Sequence, residues 1–151
     1  MNFQNRMEEL RCEDASLVPT LTSRLLATTA RHFAAPVAPT SFPAELLLAL
    51  HSVFGSRLAA ALDIVDRDGV MVYRGEKGGR AVAVVTGSRG LRYTLPHTGH
   101  YCPCPAWQYM ALGRGATACK HLLALRLAEA TKRLTVETVS DKRVAYLIQE
   151  L

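Results

Sequence analysis

Four soft side chains fall in two tight pairs, Cys102-Pro103-Cys104 and Cys119-Lys120-His121, with fourteen residues between Cys104 and Cys119. Three sulfurs and one imidazole, arranged two and two, are the donor set of a closed tetrahedral zinc site. The intervening loop must then fold back so that both pairs reach one ion. Residues i and i+2 on a strand lie roughly 6.5 Å apart on one face. Two thiolates at about 2.3 Å from one zinc sit closer than that, so the chain is expected to curl at Pro103. Pro103 and Pro105 suit a strand end because they donate nothing to a ladder. Cys119 and His121 cannot share a mid-helix face, where i and i+2 are about 200° apart. The spacing therefore puts them at the mouth of a helix starting near Ala118.

Other readings of the cysteines exist. They could be buried thiols acting as small hydrophobes. A disulfide fits poorly, because Cys-x-Cys is a strained pair, no secretory signal is read in the first thirty residues, and the histidine would go unexplained. Cys104 or Cys119 could serve as a nucleophile with a histidine base, but the clustering of three sulfurs favours metal. His97 and His100 are alternative fourth ligands, although the Cys-x-His pair is tighter. Cys12 stands alone and reads as a spare thiol.

Charge is unevenly placed. Residues 1–69 carry a net −2, residues 70–134 a net +8 and residues 135–151 a net −1. Fourteen of the eighteen basic residues are arginine, which forks onto phosphate better than lysine. A basic segment joined to an acidic one suggests two partners, one of them a polyanion, with a plain solvated surface as the alternative. Between Thr86 and Arg126 no acidic residue occurs. A catalytic zinc would keep an open position and a nearby carboxylate, so the pattern favours a structural ion and a binding surface, with no catalytic residue assigned. No apolar run approaches a membrane span. No Gly-Lys-Ser/Thr tripeptide exists, so no nucleotide loop is read.

The expected fold class is α+β, in four regions: 1–40 an N-terminal arm and helix, 41–69 helical, 70–134 an antiparallel hairpin region with the zinc finger, and 135–151 a C-terminal helix. The first helix covers 16–33, with Leu17, Leu21 and Leu25 in register and Ser16 as its cap. A Pro-containing linker follows at 36–42. A second helix begins at Pro43 with Ser41 as a candidate cap, and Gly55 ends or bends it. A third piece runs from Ser56 to Val65. His51 is read as a core or boundary side chain. These helices are more apolar than a small zinc module can cover, so they pack on the sheet, on a partner, or on both. Strands at 70–73, 80–86 and 91–95 alternate between turns and form a three-stranded antiparallel meander. Residues 106–112 make a short helix in which Trp107 packs over the metal or, less expectedly, stacks on a base. Residues 119–133 form a strong helix. Ser140 or Asp141 caps a last one.

The C-x-C…C-x-H arrangement resembles the SWIM-type zinc finger and differs from the C-x2-C patterns of other fingers. Ala124, three residues after the histidine, is similar to the variant in the SWIM-domain subunit of Shu complexes. Val53-Phe54-Gly55-Ser56, Ala61-Leu62-Asp63-Ile64-Val65-Asp66-Arg67, Cys119-Lys120-His121-Leu122-Leu123-Ala124 and Val139-Ser140-Asp141-Lys142 extend the resemblance over roughly residues 43–148. It implies one structural zinc on Cys102, Cys104, Cys119 and His121, with Ala124 as a motif residue. It also implies a non-enzymatic nuclear protein that pairs with a RecA-like recombinase paralogue. Such a complex binds single-stranded DNA and supports recombinase filaments in homologous recombination. Arg89, Arg92, Arg114, Lys120, Arg126, Lys132 and Arg133 are the candidate phosphate contacts. The alternatives are a stand-alone DNA-binding finger and a pure protein–protein module.

Overall fold

A computed structural model describes residues 21–35, 41–111 and 118–151. The N-terminal arm with Cys12, the Ser16 cap, most of the linker, and the turn carrying Arg114 lie outside those residues.

Helix α1 covers residues 21–33. Helix α2 (Ala44–Phe54) starts one residue after Pro43, and no side chain caps it, so the expected Ser41 cap does not form. It buries Leu46, Leu50 and Phe54, a stripe at helical spacing, and leaves Leu47 and Leu48 exposed. His51 is also exposed, contrary to the expected core placement: the core takes Leu50 and Phe54, and His51 lies outside that stripe. Helix α3 (Ser56–Asp66) leaves α2 at 119°. The bend is made at Gly55, whose φ of 58° and ψ of −142° belong to a region that side chains disfavour.

Strands β1 (Val70–Gly75), β2 (Ala81–Thr86) and β3 (Arg92–Pro96) form the expected antiparallel meander. Alternate residues pack on opposite sides, as a pleated strand requires. Val70, Val72, Ala83, Val85 and Leu95 join the main core, whereas Val82 and Val84 join a smaller cluster beneath the last helix. The sheet also has a fourth strand that the meander expectation lacked. Strand β4 (Thr135–Val139) lies parallel to β1, pairing Met71 with Thr135 and Gly75 with Val139, to give the order β3-β2-β1-β4. Its first four residues are exposed, so it has no buried alternation to betray it.

Helix α4 (Pro105–Ala111) is the short helix within the finger loop. Helix α5 (Lys120–Ala130) is buried almost all round, with Leu122, Leu123, Leu125 and Leu127 nearly inaccessible and Ala124 fully enclosed. It lies against α3 and the sheet and forms the centre of one core that runs from Leu46 to Ala128. It ends at Ala130, three residues before the expected limit. Arg133 N–H bonds Ala128 O and Lys132 N–H bonds Glu129 O, which closes the last turn with Lys132 left-handed at φ 57°. Helix α6 (Asp141–Ile148) covers the other sheet face through Val144 and Leu147. Ser140 is its cap, accepting from Arg143 N–H, while Asp141 instead accepts the Gly78 N–H of the β1–β2 turn. No single helix among the described residues is long and apolar enough to cross a membrane.

The left-handed Lys132 makes a specific expectation. Lys132→Gly removes the Cβ strain of that conformation and should raise stability by about 1 kcal/mol, read as an increase in the urea midpoint at unchanged slope. An unchanged or lower midpoint contradicts this helix ending.

Candidate metal centre

Three segments deliver the site. Strand β3 ends at Pro96, six residues before Cys102, so the first pair sits on irregular chain and not on the curled strand end expected from its spacing. Cys104 immediately precedes α4. Cys119 is the N-cap of α5, and His121 lies in that helix's first turn, close to the expected position. All four side chains are buried, and their donor atoms lie within 4.8 Å of one another. The Cys102 Sγ is 3.9 Å from His121 Nδ1. A sulfur and a nitrogen sharing one tetrahedral zinc would be about 3.6 Å apart, so small side-chain adjustments suffice. His97 and His100 are not in the cluster. His97 Nε2 instead lies 3.0 Å from Glu129 Oε1, and His100 is exposed.

The electrostatics suit thiolates. Cys119 Sγ accepts the Leu122 N–H at 3.4 Å, so sulfur replaces the usual oxygen of a helix cap, and Cys104 Sγ accepts the Trp107 N–H at 3.3 Å. The Cys119 thiol is pulled down because it accepts a hydrogen bond from Cys102, with help from His121 and Leu122 against the opposing effect of burial. Cys102 is pushed up by the same bond to Cys119 and by burial, and Cys104 chiefly by burial. In this arrangement Cys119 is the sulfur that gives up its proton most readily, while Cys102 and Cys104 are held up. The donor types, the burial and the absence of a carboxylate all fit a zinc held by protein ligands alone.

The surrounding shell was not legible in the sequence. The Tyr93 ring lies over the His121 imidazole, 4.3 Å between centroids at 33°. Gly87, in the β2–β3 turn, faces the other ring nitrogen: a Cβ there would be 3.1 Å from Nε2. The ring thus presents Nδ1 to the sulfurs. Arg57 donates to the Ala118 carbonyl at 2.9 Å and to the Phe54 carbonyl at 3.1 Å, tying α3 to the residue before Cys119. Trp107 is half-buried and packs on the main core. The only advance signals for these contacts were an alternating tyrosine and a turn glycine.

The candidate phosphate contacts scatter. Arg89 and Lys120 line one cleft beside the cluster. Arg92 is on the opposite sheet face from Tyr93, by strand alternation. Arg126 is turned inward, donating to the His97 and Gly99 carbonyls and to Glu129. Arg133 pairs with Asp66 at 2.6 Å and approaches Asp68 at 3.6 Å. Lys132 is exposed at the far end of α5.

Comparison with known proteins decides the family. The mouse zinc finger SWIM domain-containing protein 7 is 42% identical over 109 residues, covering 72% of this chain and 71% of its own length. The human protein of that name is 35% identical over 135 residues, covering 89% of this chain and 94% of its own length. The chain belongs to the zinc finger SWIM domain-containing protein 7 family. The zebrafish member is 40% identical over 107 residues, 70% of this chain and 76% of the fish protein. No protein-family profile matches the chain, and no solved structure matches it. A Cys3His cluster within metal-binding distance, in a family named for its zinc finger, points to zinc.

Two outcomes follow. Zinc uptake at neutral pH should release protons, and affinity should rise with pH, because protons and metal compete for the same sulfurs and burial pushes the Cys102 and Cys104 thiols up. Calorimetry in buffers of different ionisation enthalpy measures this; no buffer dependence contradicts it. Gly87→Val should crowd the imidazole and weaken zinc retention by about 10- to 100-fold in a chelator competition; unchanged retention would show that the turn plays no part in orienting His121.

Proposed function

We propose that the chain is a non-enzymatic subunit, ordered by one structural zinc on Cys102, Cys104, Cys119 and His121, that pairs with a RecA-like recombinase paralogue in the nucleus. In this reading the complex is of the Shu type. It binds or helps bind single-stranded DNA and promotes or stabilises recombinase filaments during homologous recombination. The observation that carries it is a buried four-donor cluster in which every donor comes from the protein and no carboxylate takes part. Such a site is a fold element and leaves no open coordination position for chemistry. Family membership supports the zinc-finger part, and Ala124, enclosed one turn beyond His121, fits the role of a small motif residue that lets α5 pack closely.

Two features support a heteromer with a polyanion contact. Leu21, Leu47 and Leu48 are exposed on α1 and α2, and Leu48 is 70% accessible, which suits burial against another subunit. The stretch from residue 70 to 134 carries its net +8 with no acidic residue between Thr86 and Arg126.

Co-expression with a RecA-like paralogue, followed by mass determination and salt-titrated binding to single-stranded DNA, tests the reading. The expected result is a stable heteromer. Its affinity should fall with salt at a log–log slope of about 0.7 per phosphate engaged. A stable heteromer with no salt-dependent DNA binding reduces the function to a protein–protein module. DNA binding without any heteromer favours a stand-alone finger.

A further inference from the structure

Beside the metal cluster the protein opens into a cleft of about 520 Å3. Its walls come from the start of α3, the β2–β3 turn, the start of α4 and the first turn of α5. Among the described residues three cations line it, Arg57, Arg89 and Lys120, and no carboxylate does. The cluster contributes Cys104, Cys119 and His121 to the floor. Three thiolates and a divalent ion sum to −1, so the lining stays cationic once metal is bound.

The cations differ in freedom. Arg57 is fixed by its bonds to the Phe54 and Ala118 carbonyls and so forms a preset positive wall. Arg89 is exposed on the turn and Lys120 is half-buried at the head of α5. Among the described residues the ion pairs engage Arg67, His97, Arg126 and Arg133, and neither Arg89 nor Lys120. Ser88 adds a hydroxyl, and Leu91, 58% exposed, adds apolar surface.

We propose that this cleft receives one phosphate of a single-stranded nucleic acid, held by Arg89 and Lys120 against the fixed Arg57. The inference rests on the DNA reading above and narrows the six candidate basic residues that the structure describes to a pair with a shared pocket. The geometry favours a single strand because the cations converge on one concavity. A flexible strand can turn a phosphate inward, while a duplex presents its phosphates on a rigid convex surface. Leu91 lies where the adjoining sugar or base would rest.

The test uses the purified full chain, alone and with its co-expressed RecA-like partner, as wild type, Arg89→Glu and Lys120→Glu, with Lys142→Glu as a control of equal charge change on α6, across the sheet. Zinc content is measured for each, and binding to a labelled oligo-dT is titrated against salt. Arg89→Glu and Lys120→Glu should each weaken binding about tenfold, lower the slope by about 0.7 and keep their zinc, with Lys142→Glu close to wild type. Wild-type binding that neither cleft variant alters overturns the cleft assignment alone. No binding by wild type, either alone or with its RecA-like partner, overturns the DNA reading itself. Equal loss in all three variants overturns the pocket in favour of diffuse attraction, and equal affinity for a duplex overturns its preference for a single strand. Intact DNA binding with lost co-purification of a RecA-like partner reassigns the cleft to an acidic polypeptide and overturns the proposal.

Discussion

Everything else in the structure depends on bringing Cys102, Cys104, Cys119 and His121 to one point. These residues stand on the irregular chain after β3, at the entry to α4 and on the first turn of α5. Leaving three thiols and an imidazole buried without a common partner would be costly, because buried polar groups need their interactions satisfied. A shared metal would remove that cost and lock the loop at the same time. The Cys119 cap then does two things: its sulfur satisfies the Leu122 N–H that starts α5 and serves as a donor in the cluster.

From that pivot the rest of the core follows. Helix α5 enters the protein at the cluster and is buried almost all round, so it needs cover on nearly every side. The bent α2–α3 pair and the sheet supply it, and the bend at Gly55 turns α3 across to meet α5. Arg57 couples this helical cover to the finger loop through the Ala118 carbonyl. On the far side of α5, Arg126 gathers the His97 and Gly99 carbonyls and holds the segment that leads to Cys102. Arginine thus has two tasks here. Some guanidiniums tie loops to the helix that carries the cluster, and others face solvent beside it.

The sequence announced the parts of the fold that rest on local pattern. Alternation exposed β1, β2 and β3, and the Cys-x-Cys and Cys-x-His pairs exposed the cluster, because the donor types and spacings are chemically restrictive. Strand β4 escaped because its first four residues face solvent, so hydrophobic periodicity had nothing to register; its pairing with β1 is a long-range backbone event. His51 was misplaced because an apolar neighbourhood in sequence is not a buried one in space. The supports of His121 were out of reach for the same reason: Tyr93, Gly87 and Arg57 come from three other elements, and only the closed fold sets them around Cys119 and His121. Counting basic residues could not separate Arg126, turned inward, from Arg89, turned outward.

The most direct test of the pivot is thermal unfolding of the purified chain before and after zinc is stripped by a chelator under reducing conditions, followed by circular dichroism. If the cluster orders the fold, the protein as purified melts in one cooperative transition, and the stripped protein loses that transition and regains it when zinc is returned. A stripped protein that melts at the same temperature, with the same cooperativity, would contradict the account.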